Sequence, residues 1–278
     1  MAGQTIQPRP DRIASLHSDR PQAGSRCQGL LWSTLEEICR LLCIESVSLA
    51  SDRMLFQHVQ FRSGQRILSH GDAFDTLYIV NSGFLKTALI DDFGNEKVLG
   101  FPMKGDMLGM DGIHIGHHTS ETLAMSECDL ILLPFTRLNS LSRTTPDIEH
   151  LMYRMMSREL ALRQAMIGML GTLSAEARVA RFLVALSDRF AEMGYSARTF
   201  NLRMKRQEIG SYLGLTTETV SRTISAFHDL GCITVQQRTI TILDAEALKA
   251  LRRLPSSPAH QALRRSSTGL APKPSARR

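Results

Sequence analysis

The stretch Gly210-Ser-Tyr-Leu-Gly-Leu-Thr-Thr-Glu-Thr-Val-Ser-Arg222 decides how the rest of this chain is interpreted. It starts within a short helical pattern from Lys205 to Leu213, after which Gly214 supplies the residue that most readily adopts left-handed backbone at a turn. Thr216 is positioned to cap a second helix, which the apolar spacing extends from Thr217 to Leu230. Two short helices joined by a glycine turn are typical of a helix-turn-helix motif.

The second helix carries hydrogen-bonding groups on the side away from its apolar face. These groups are Thr217, Glu218, Ser221 and Arg222. Because a recognition helix presents its first turns to base edges in the major groove, a carboxylate there accepts from cytosine and an arginine donates to guanine. Glu218 and Arg222 are four residues apart, however, and such a pair is by itself equally typical of an ordinary surface ion pair.

The flanking sequence favours the DNA-binding interpretation. Basic residues precede the motif at Arg203, Lys205 and Arg206, and β-branched residues from Ile233 to Ile242 predict a β hairpin, or wing, after it. A helix is also predicted from Ser174 to about Met193, where Gly194 ends it. We therefore predict a winged helix-turn-helix domain over residues 174–245, with DNA contacts at Lys205, Arg206, Thr216, Thr217, Glu218, Ser221 and Arg222.

Composition places the chain among ordinary globular proteins. Its 278 residues include 33 Lys and Arg, 27 Asp and Glu, 43% hydrophobic residues and 5 Cys. These values fit two domains plus tails and exclude collagen-like, disulfide-dense and wholly disordered proteins. No apolar run approaches the roughly 18–20 residues of a membrane span, and the N-terminus has no hydrophobic signal core. We therefore expect a soluble, cytoplasmic protein with no membrane partner.

The formal net charge of +6 comes from the C-terminal end of the chain. Residues 246–278 are rich in Pro and Ser, and from Arg252 onward they hold seven basic residues and no acidic one. We predict that they form a basic, largely disordered tail. Such a tail either adds non-specific attraction to phosphate or simply keeps the chain in solution, and its charge alone does not establish DNA binding.

The N-terminal half predicts a β barrel preceded by an arm. Residues 1–31 contain Pro and scattered Arg with little apolar periodicity, which indicates a flexible arm. Over residues 32–143 we predict a sensory β domain with leading helices, the first opened by a capping box of Ser33 and Glu36 and the second near Ser51 to Phe56. Short apolar runs then alternate with turn signals, as in a sandwich or jelly-roll barrel. The predicted strands include residues 77–80, 84–87, 97–101 and 130–133.

One long helix is predicted between the two domains, over residues 144–173. Thr145 is a suitable N-cap, and Pro146 occupies the favoured first helical position. Steps of four and three residues then give a coiled-coil seam formed by Ile148, Met152, Met155, Glu159, Leu162, Met166 and Met169. Packing on the barrel accounts for one apolar stripe, yet a second is provided by Leu151, Leu160, Ile167 and Leu170. We therefore predict a homodimer rather than a monomer.

Residues 210–222 resemble the recognition motif of the Crp/Fnr family of bacterial transcription regulators, and the likeness covers about residues 60 to 245. Other matching motifs are Gly100-Phe101, Gly105-Asp106-Met107-Leu108-Gly109, Gly116-His117-His118 and Leu186-Ser187-Asp188-Arg189-Phe190. The family architecture agrees with the one that the periodicity predicts. It is an α+β fold with an N-terminal cyclic-nucleotide-binding-like β jelly-roll barrel, a long dimerisation helix and a C-terminal winged helix-turn-helix.

The recognition motif is similar to that of the Fnr branch rather than the cAMP-receptor branch. The chain has Glu218, Ser221 and Arg222, and Thr217 stands where the cAMP-receptor branch has an arginine. The resemblance implies a homodimer that reads a palindrome similar to TTGAT-N4-ATCAA in double-stranded DNA. It also implies contact with RNA polymerase and control of genes for low-oxygen or redox metabolism.

The sequence leaves the sensed signal open. Family members that bind cAMP hold its phosphate with an arginine, and here His118, followed by Thr119, takes the place of that arginine after the Gly105-Asp106 turn. Without a fixed cation the site loses its main charge-assisted contact, so the resemblance does not favour cAMP. Haem or nitric oxide would use His114, His117 and His118, although histidines clustered in a loop are more often solvated.

A 4Fe-4S cluster is a further candidate. Fnr-type sensors use three closely spaced N-terminal cysteines and one in the barrel, and the candidates here are Cys27, Cys39, Cys43 and Cys128. The spacing departs from that pattern, because Cys39 and Cys43 lie at i,i+4 on a predicted helix and the family's barrel ligand falls on Ile131 instead of Cys128. We prefer a FixK-like regulator without the cluster, controlled by its amount or by thiol oxidation, with Cys128 and Cys232 buried as packing residues.

Other functional classes have less support in the sequence. It contains no Gly-rich phosphate loop, nucleophile elbow or metal-ligand motif, so we expect no enzyme activity and no assured cofactor. A nucleotide-binding regulatory subunit without a DNA role is the alternative from a different class, and the predicted winged helix-turn-helix argues against it.

Overall fold

The structure is a computed structural model that describes residues 31–44, 55–91, 93–143 and 146–251. Most of the predicted N-terminal arm, together with Cys27, Thr145 and the basic tail beyond Leu251, lies outside the described residues. From Trp32 onward the described chain belongs to one unit. In it a β domain, a long helix and a mostly helical domain follow one another along the sequence.

The β domain consists of two antiparallel sheets. The first runs from β1 (Trp32–Thr34) through β2 (Leu55–Phe61), β9 (Cys128–Pro134) and β4 (Thr76–Ser82) to β7 (Met107–Leu108). The second runs from β3 (Arg66–Leu68) through β8 (Glu121–Ala124) and β5 (Leu85–Ile90) to β6 (Glu96–Gly100). Each of the four predicted runs overlaps a strand of these sheets. In the first sheet β9 lies between β2 and β4, although it is next to neither of them in the sequence order of the strands. Phe56 belongs to β2, so the predicted second helix is wrong at that end, and its residues 51–54 lie outside the described residues.

The connection between β4 and β5 depends on Gly83. Its φ of +101° lies in the left-handed region, and an added Cβ would lie 2.5 Å from the Sγ of Cys128. In the middle of strands β4 and β9, Ile79 on β4 and Ile131 on β9 are directly paired and almost completely buried. Residues far apart in sequence are therefore held in register by packing both at this pair and at the Gly83 turn.

The helix that follows β1 is α1 (Leu35–Leu41), and its cap lies one residue later than the sequence predicts. The Thr34 hydroxyl accepts from the backbone N–H of Glu37, and the Glu37 carboxylate accepts from the backbone N–H of Thr34 at 2.8 Å. The predicted cap at Ser33 is therefore wrong by one position. The prediction that Cys39 and Cys43 share a helix is also wrong, because Cys43 follows the helix end with a left-handed φ of 54°.

A buried polar network crosses the five-stranded sheet. His58 bonds through Nδ1 to the Asp129 carboxylate and through Nε2 to the Ser33 hydroxyl, each at 2.8 Å. Asn81 donates to the same oxygen of Asp129 at 2.7 Å, and the other oxygen has no partner within the described part of the chain. Because Ser33 and Asp129 are each only 9% exposed, we interpret this Ser–His–Asp arrangement as a link among four strands and not as a catalytic site.

The long helix, α3 (Pro146–Thr172), follows the short helix α2 (Phe135–Ser142). Its N-terminal part packs Ile148, Leu151 and Met155 into the core that the five-stranded sheet shares with α1. Near its other end, Met169 enters the core of the helical domain. Among the described helices, none combines the length and the apolar character that crossing a bilayer would require.

The predicted coiled-coil seam therefore largely faces its own protomer. Ile148, Met155 and Met169 are buried, Met152 and Met166 pack partly buried on the same cores, and Glu159 forms an ion pair with Arg163. Among the seven seam residues, Leu162 is exposed. A different set of apolar residues is exposed on α3, and steps of three, four and seven residues place them along one side of the helix. This exposed stripe consists of Tyr153, Met156, Leu160 and Ile167.

The C-terminal domain contains α4 (Ala175–Glu192), β10 (Thr199–Asn201), α5 (Arg206–Leu213), α6 (Thr217–Asp229), β11 (Ile233–Gln236), β12 (Thr239–Ile242) and α7 (Ala245–Leu251). The predicted start of α4 is confirmed, since the Ser174 side chain accepts from the backbone N–H of Ala177. Two elements were not predicted. β10 extends the predicted hairpin to three strands, and α7 occupies the beginning of the predicted tail because Leu248 is fully buried in the core.

Candidate nucleic-acid interface

The turn between α5 and α6 brings the two helices into close contact. At Gly210 an added Cβ would lie 2.6 Å from the carbonyl oxygen of Leu215, so a larger residue would push the helices apart. The backbone N–H of Leu215 donates to the Gly210 carbonyl oxygen at 2.8 Å. Gly214 has left-handed backbone with a φ of +64°, which confirms its predicted role in the turn.

The helix α6 separates a buried face from an exposed one. It is capped by the Thr216 hydroxyl, which accepts from the backbone N–H of Thr219 at 3.1 Å. Its buried face is formed by Val220, Thr223, Ile224 and Phe227. Its exposed first turns carry Thr217, Glu218, Ser221 and Arg222. The structure thus places the four predicted base-reading residues of α6 together on its solvent side.

The exposed side chains on α6 interact locally. The Arg222 guanidinium contacts the Glu218 carboxylate, and these side chains are 74% and 71% exposed. Such an exposed pair stabilises a helix by only about 0.3–0.5 kcal/mol, so a stronger partner readily redirects both groups. The Ser221 hydroxyl donates to the Thr217 carbonyl oxygen at 2.9 Å and keeps acceptor capacity. Together they present one anion, one forked cation and one hydroxyl to an approaching surface.

Basic residues around the motif are exposed to different degrees. Lys205 precedes α5 and is exposed, whereas Arg206 is partly buried, and burial lowers the pKa of its guanidinium. The Arg203 guanidinium lies 5.0 Å from the centre of the Phe84 ring in the β domain. Arg238, which sequence reasoning missed, is exposed in the two-residue turn of the wing between β11 and β12. A basic residue in a predicted hairpin turn was the available signal.

An ion pair joins α5 to the β domain. Lys86 on β5 places its Nζ 3.0 Å from the Glu208 carboxylate and 2.6 Å from that of Glu96. Burial by itself would lower the pKa of Lys86, but hydrogen bonds and attraction from the two carboxylates raise it above its ordinary value. Lys86 therefore stays charged at neutral pH, and the first helix of the motif is fixed against the barrel.

Further contacts strengthen this docking. The backbone N–H of Val98 on β6 donates to the Ser211 hydroxyl at 2.9 Å. Arg189 on α4 donates to both carboxylate oxygens of Asp106 at 3.1 and 3.0 Å, a two-point contact that fixes orientation as well as distance. The β domain thus sets the position of the helix-turn-helix.

A cavity of about 440 Å³ lies where the β domain meets α3 and the helical domain, and its wall includes Lys97, Phe101, Asp111, Ser120, Arg163 and Tyr212. Asp111 belongs to one turn of 3-10 helix, Met110–Gly112. One of its oxygens accepts from the backbone N–H groups of Thr119 and Ser120 at 2.9 and 3.0 Å, and from their hydroxyls at 3.0 and 2.8 Å. The wall of the cavity therefore contains a carboxylate of the chain itself, one oxygen of which accepts four hydrogen bonds.

His118, which the sequence grouped with two solvated loop histidines, is buried. It is 3% exposed, its Nδ1 lies 3.3 Å from the other oxygen of Asp111, and its ring meets the Phe74 ring edge-on. That part of the prediction is wrong, whereas His114 and His117 are exposed as expected. Burial by itself would raise the pKa of Asp111, but hydrogen bonds from Ser120, His118 and Thr119 lower it below its ordinary value.

The described cysteines are not gathered into one site. Cys39 and Cys128 are buried in two separate hydrophobic cores, and Cys43 is exposed. Burial raises the pKa of both buried thiols, and the Cys128 thiol donates to the Phe84 carbonyl oxygen at 3.4 Å. Across residues 31–44, 55–91, 93–143 and 146–251, no group of three or more metal-ligating side chains is positioned to hold a metal ion. The described residues therefore do not fit an iron–sulfur cluster.

Two family models match this chain. The cyclic nucleotide-binding domain matches residues 58–145, which contain most of the barrel, and the Crp-like helix-turn-helix domain matches residues 177–251, which contain the motif just described. The order of the two matches is the predicted order of the domains, and the predicted fold class is confirmed.

The chain is also similar to regulators of known name. The fumarate and nitrate reduction regulatory protein of Salmonella typhi is 39% identical over 200 residues, which are 72% of this chain and 80% of the relative. The transcriptional regulatory protein btr of Bordetella pertussis is 36% identical, over 72% of this chain and 83% of the relative. Among solved structures, FixK2 from Bradyrhizobium japonicum superposes with a TM-score of 0.65 at 25% identity, covering 71% of this chain and 98% of FixK2. By their names, the two relatives are regulatory proteins, not enzymes.

Proposed function

The chain belongs to the Crp/Fnr family of DNA-binding transcription regulators, and from that premise we propose that it binds, as a homodimer, an inverted repeat similar to TTGAT-N4-ATCAA. Each protomer reads one half of the repeat, because a two-fold axis that relates two recognition helices also relates two half-sites. In this function α6 enters the major groove and the barrel holds it in place.

The observation that carries the proposal is the exposed side of the first turns of α6. Glu218 accepts a hydrogen bond from a cytosine amino group, and Arg222 donates two to O6 and N7 of a guanine. Ser221 adds a hydroxyl that accepts or donates at a neighbouring base. Both a guanine and a cytosine occur in each half of the proposed repeat, on opposite strands. The ion pair between Glu218 and Arg222 keeps both groups on one side of the helix before DNA binds.

Contacts to phosphate fix the register. Lys205, before α6 in the chain, and the wing residue Arg238, after it, are both exposed. Thr217 lies at the start of α6, where the partial positive charge of the helix N-terminus favours an anion. Thr216 acts through the cap and so positions the backbone of this turn. These contacts supply affinity and its salt dependence, while Glu218 and Arg222 supply base discrimination.

The exposed stripe of α3 is the surface that we assign to dimerisation. Tyr153, Met156, Leu160 and Ile167 are between 38% and 70% exposed in the single chain. A second copy that packs the same stripe against this one across a two-fold axis removes all four side chains from water. This stripe replaces the seam that the sequence suggested, because much of that seam is occupied by contacts within the protomer.

For the signal we propose FixK-like control, without an iron–sulfur cluster, of genes for low-oxygen or redox metabolism. The dispersal of Cys39, Cys43 and Cys128 supports the absence of the cluster. The similarity to a fumarate and nitrate reduction regulatory protein supports the class of target genes and keeps an oxygen-sensing cluster as the second candidate. RNA polymerase is the proposed protein partner, and the cytoplasm, where the chromosome lies, is the proposed location.

The test is binding of the full chain to a duplex that contains the inverted repeat, compared with a scrambled duplex of the same composition at moderate salt. We expect a preference for the repeat of at least about 10³-fold, in air and without oxygen alike. No preference under either condition contradicts the proposal and leaves the nucleotide-binding regulatory subunit. Anaerobic purification followed by absorbance, iron and sulfide measurements separates the two signal candidates, since about four irons per chain would support the cluster.

A further inference from the structure

The β domain contains an anion site that the chain fills with its own carboxylate. Four donors converge on one oxygen of Asp111, at 2.8–3.0 Å, and all four belong to Thr119 and Ser120. Two of them are consecutive backbone N–H groups. Consecutive N–H groups that point at one position form a concave site of the kind that binds phosphate and other oxyanions in proteins. Hydroxyls from the same two residues complete the site.

The backbone around Asp111 keeps the carboxylate in this site. Asp111 sits in the turn Met110–Gly112, and an added Cβ at Gly112 would lie 2.7 Å from the Phe74 side chain, so this turn is closely packed on the barrel. His118, whose side chain is 4% exposed, contacts the second oxygen. If the carboxylate left this position, its five polar partners would lose their common anion together.

The filled site lies on the wall of the large cavity. Asp111 and Ser120 both line the 440 Å³ space, so a molecule in the cavity meets a carboxylate where it would otherwise meet two free N–H groups. The carboxylate repels an anionic group at this part of the wall, and the N–H groups of Thr119 and Ser120 are already engaged. The domain that matches a cyclic nucleotide-binding model thus has, at this position, an anion that is part of the chain.

We propose that Thr119 and Ser120 form a binding site for a small oxyanion, of the carboxylate or phosphate class, and that Asp111 occupies it permanently in place of a diffusible ligand. The β domain therefore holds its liganded arrangement without an anionic effector. This inference concerns the barrel alone and does not rest on the proposed DNA sequence or on the dimer.

The test is chemical rescue of the full chain carrying Asp111→Ala. This change removes the internal anion and leaves its donors next to an open cavity. We expect its melting temperature to rise saturably, by about 2–4 °C, when formate replaces chloride at constant ionic strength, because formate binds the folded site. Inorganic phosphate is the second probe. The unchanged protein should show no such rise, since its site is filled.

Two further variants control the experiment. Asp111→Asn keeps the size of the side chain, so the site stays filled and formate should have no saturable effect. Asp91→Ala removes another carboxylate that accepts from backbone N–H groups, those of Phe93 and Asn95, but on an exposed turn. Asp91→Ala should be less stable than the unchanged protein, and formate should not raise its melting temperature. Equal responses of Asp111→Ala and Asp91→Ala to formate, or no response of either, would overturn the proposal.

A folding failure does not leave the proposal untested. If Asp111→Ala does not fold in chloride, the same titration is read as the yield of soluble protein after dilution from urea. The yield should increase with formate and saturate, and the increase should be reduced when Ser120→Ala is added, because that removes one of the four donors. A yield that is independent of formate contradicts the proposal.

Discussion

The carboxylate of Glu208, in the first turn of α5, lies 3.0 Å from the Nζ of Lys86 on β5, although 122 positions separate the two residues. Both side chains are largely buried, with 15% and 12% exposed. The same Glu208 carboxylate accepts from the backbone N–H of Lys205 at 2.7 Å and so caps the helix that it anchors. One side chain therefore both starts the first helix of the motif and attaches it to the barrel.

Replacing Lys86 with Met should lower the free energy of unfolding by about 1–3 kcal/mol, because Glu96 and Glu208 then face each other without the cation between them. Urea unfolding of the full chain measures the change. Lys249→Met is the matched control, since Lys249 pairs with Glu246 at the surface, where the side chains are 42% and 83% exposed. That control should cost less than about 0.5 kcal/mol. Equal losses in the two variants would contradict the docking role.

Glu218→Ala and Arg222→Ala should each reduce discrimination between the inverted repeat and scrambled DNA by about 1–3 kcal/mol, since each removes a base contact. Titration of labelled duplexes at one fixed salt concentration measures both affinities. Glu246→Ala and Lys249→Ala remove a similar exposed pair from α7, far from the recognition helix in sequence, and should leave discrimination unchanged. The assignment fails if the α7 variants lose as much discrimination as those on α6.

Ile167→Glu should convert the dimer into a monomer, because it places a charge on a side chain that is 70% exposed in the single chain and lies in the proposed dimer interface. Sedimentation at several protein concentrations measures the change. Ala161→Glu is the control: the residue is exposed on the same helix but not in line with the stripe. A variant at Ile167 that stays dimeric at micromolar concentration would place the interface elsewhere.

The ionised Asp111 should contribute stability that depends on pH. Because its donors depress its pKa in the folded chain, the contribution is complete above the unfolded pKa of about 4 and is lost as the pH falls through the lower folded pKa. Asp111→Asn cannot titrate. The difference in free energy of unfolding between the two proteins should therefore shrink as the pH falls below about 4, measured by urea unfolding from pH 7 downward. A difference that stays constant with pH would sink this interpretation.

Among the described cysteines, Cys43 should react first with a maleimide. It is exposed, whereas Cys39, Cys128 and Cys232 are buried and burial raises the pKa of each thiol, which reduces the reactive thiolate. Timed labelling of the native chain, followed by mass spectrometry of its peptides, measures each site separately. In urea the four should react at similar rates. Labelling of Cys39 or Cys128 as fast as Cys43 in the native chain would contradict this arrangement.

The sequence by itself determined the recognition motif and the succession of domains. Gly214 and the Thr216 cap act on their own backbone within a few residues, and the buried face of α6 follows from its spacing. Interactions between residues so close in sequence can be predicted without knowledge of the fold. The same holds for the start of α4 at Ser174 and for the main strands of the barrel.

The tertiary structure alone decided which faces are covered. Periodicity showed two apolar stripes on α3, but only the packing of Ile148 and Met155 on the barrel revealed that Ile167 is on the free one. Likewise, nothing local in the sequence indicates that Asp111 accepts from Thr119 and Ser120, or that Glu208 meets Lys86. The physical reason is that a residue's type and spacing set what it can contact, whereas the folded path of the chain sets what is within a hydrogen bond's reach.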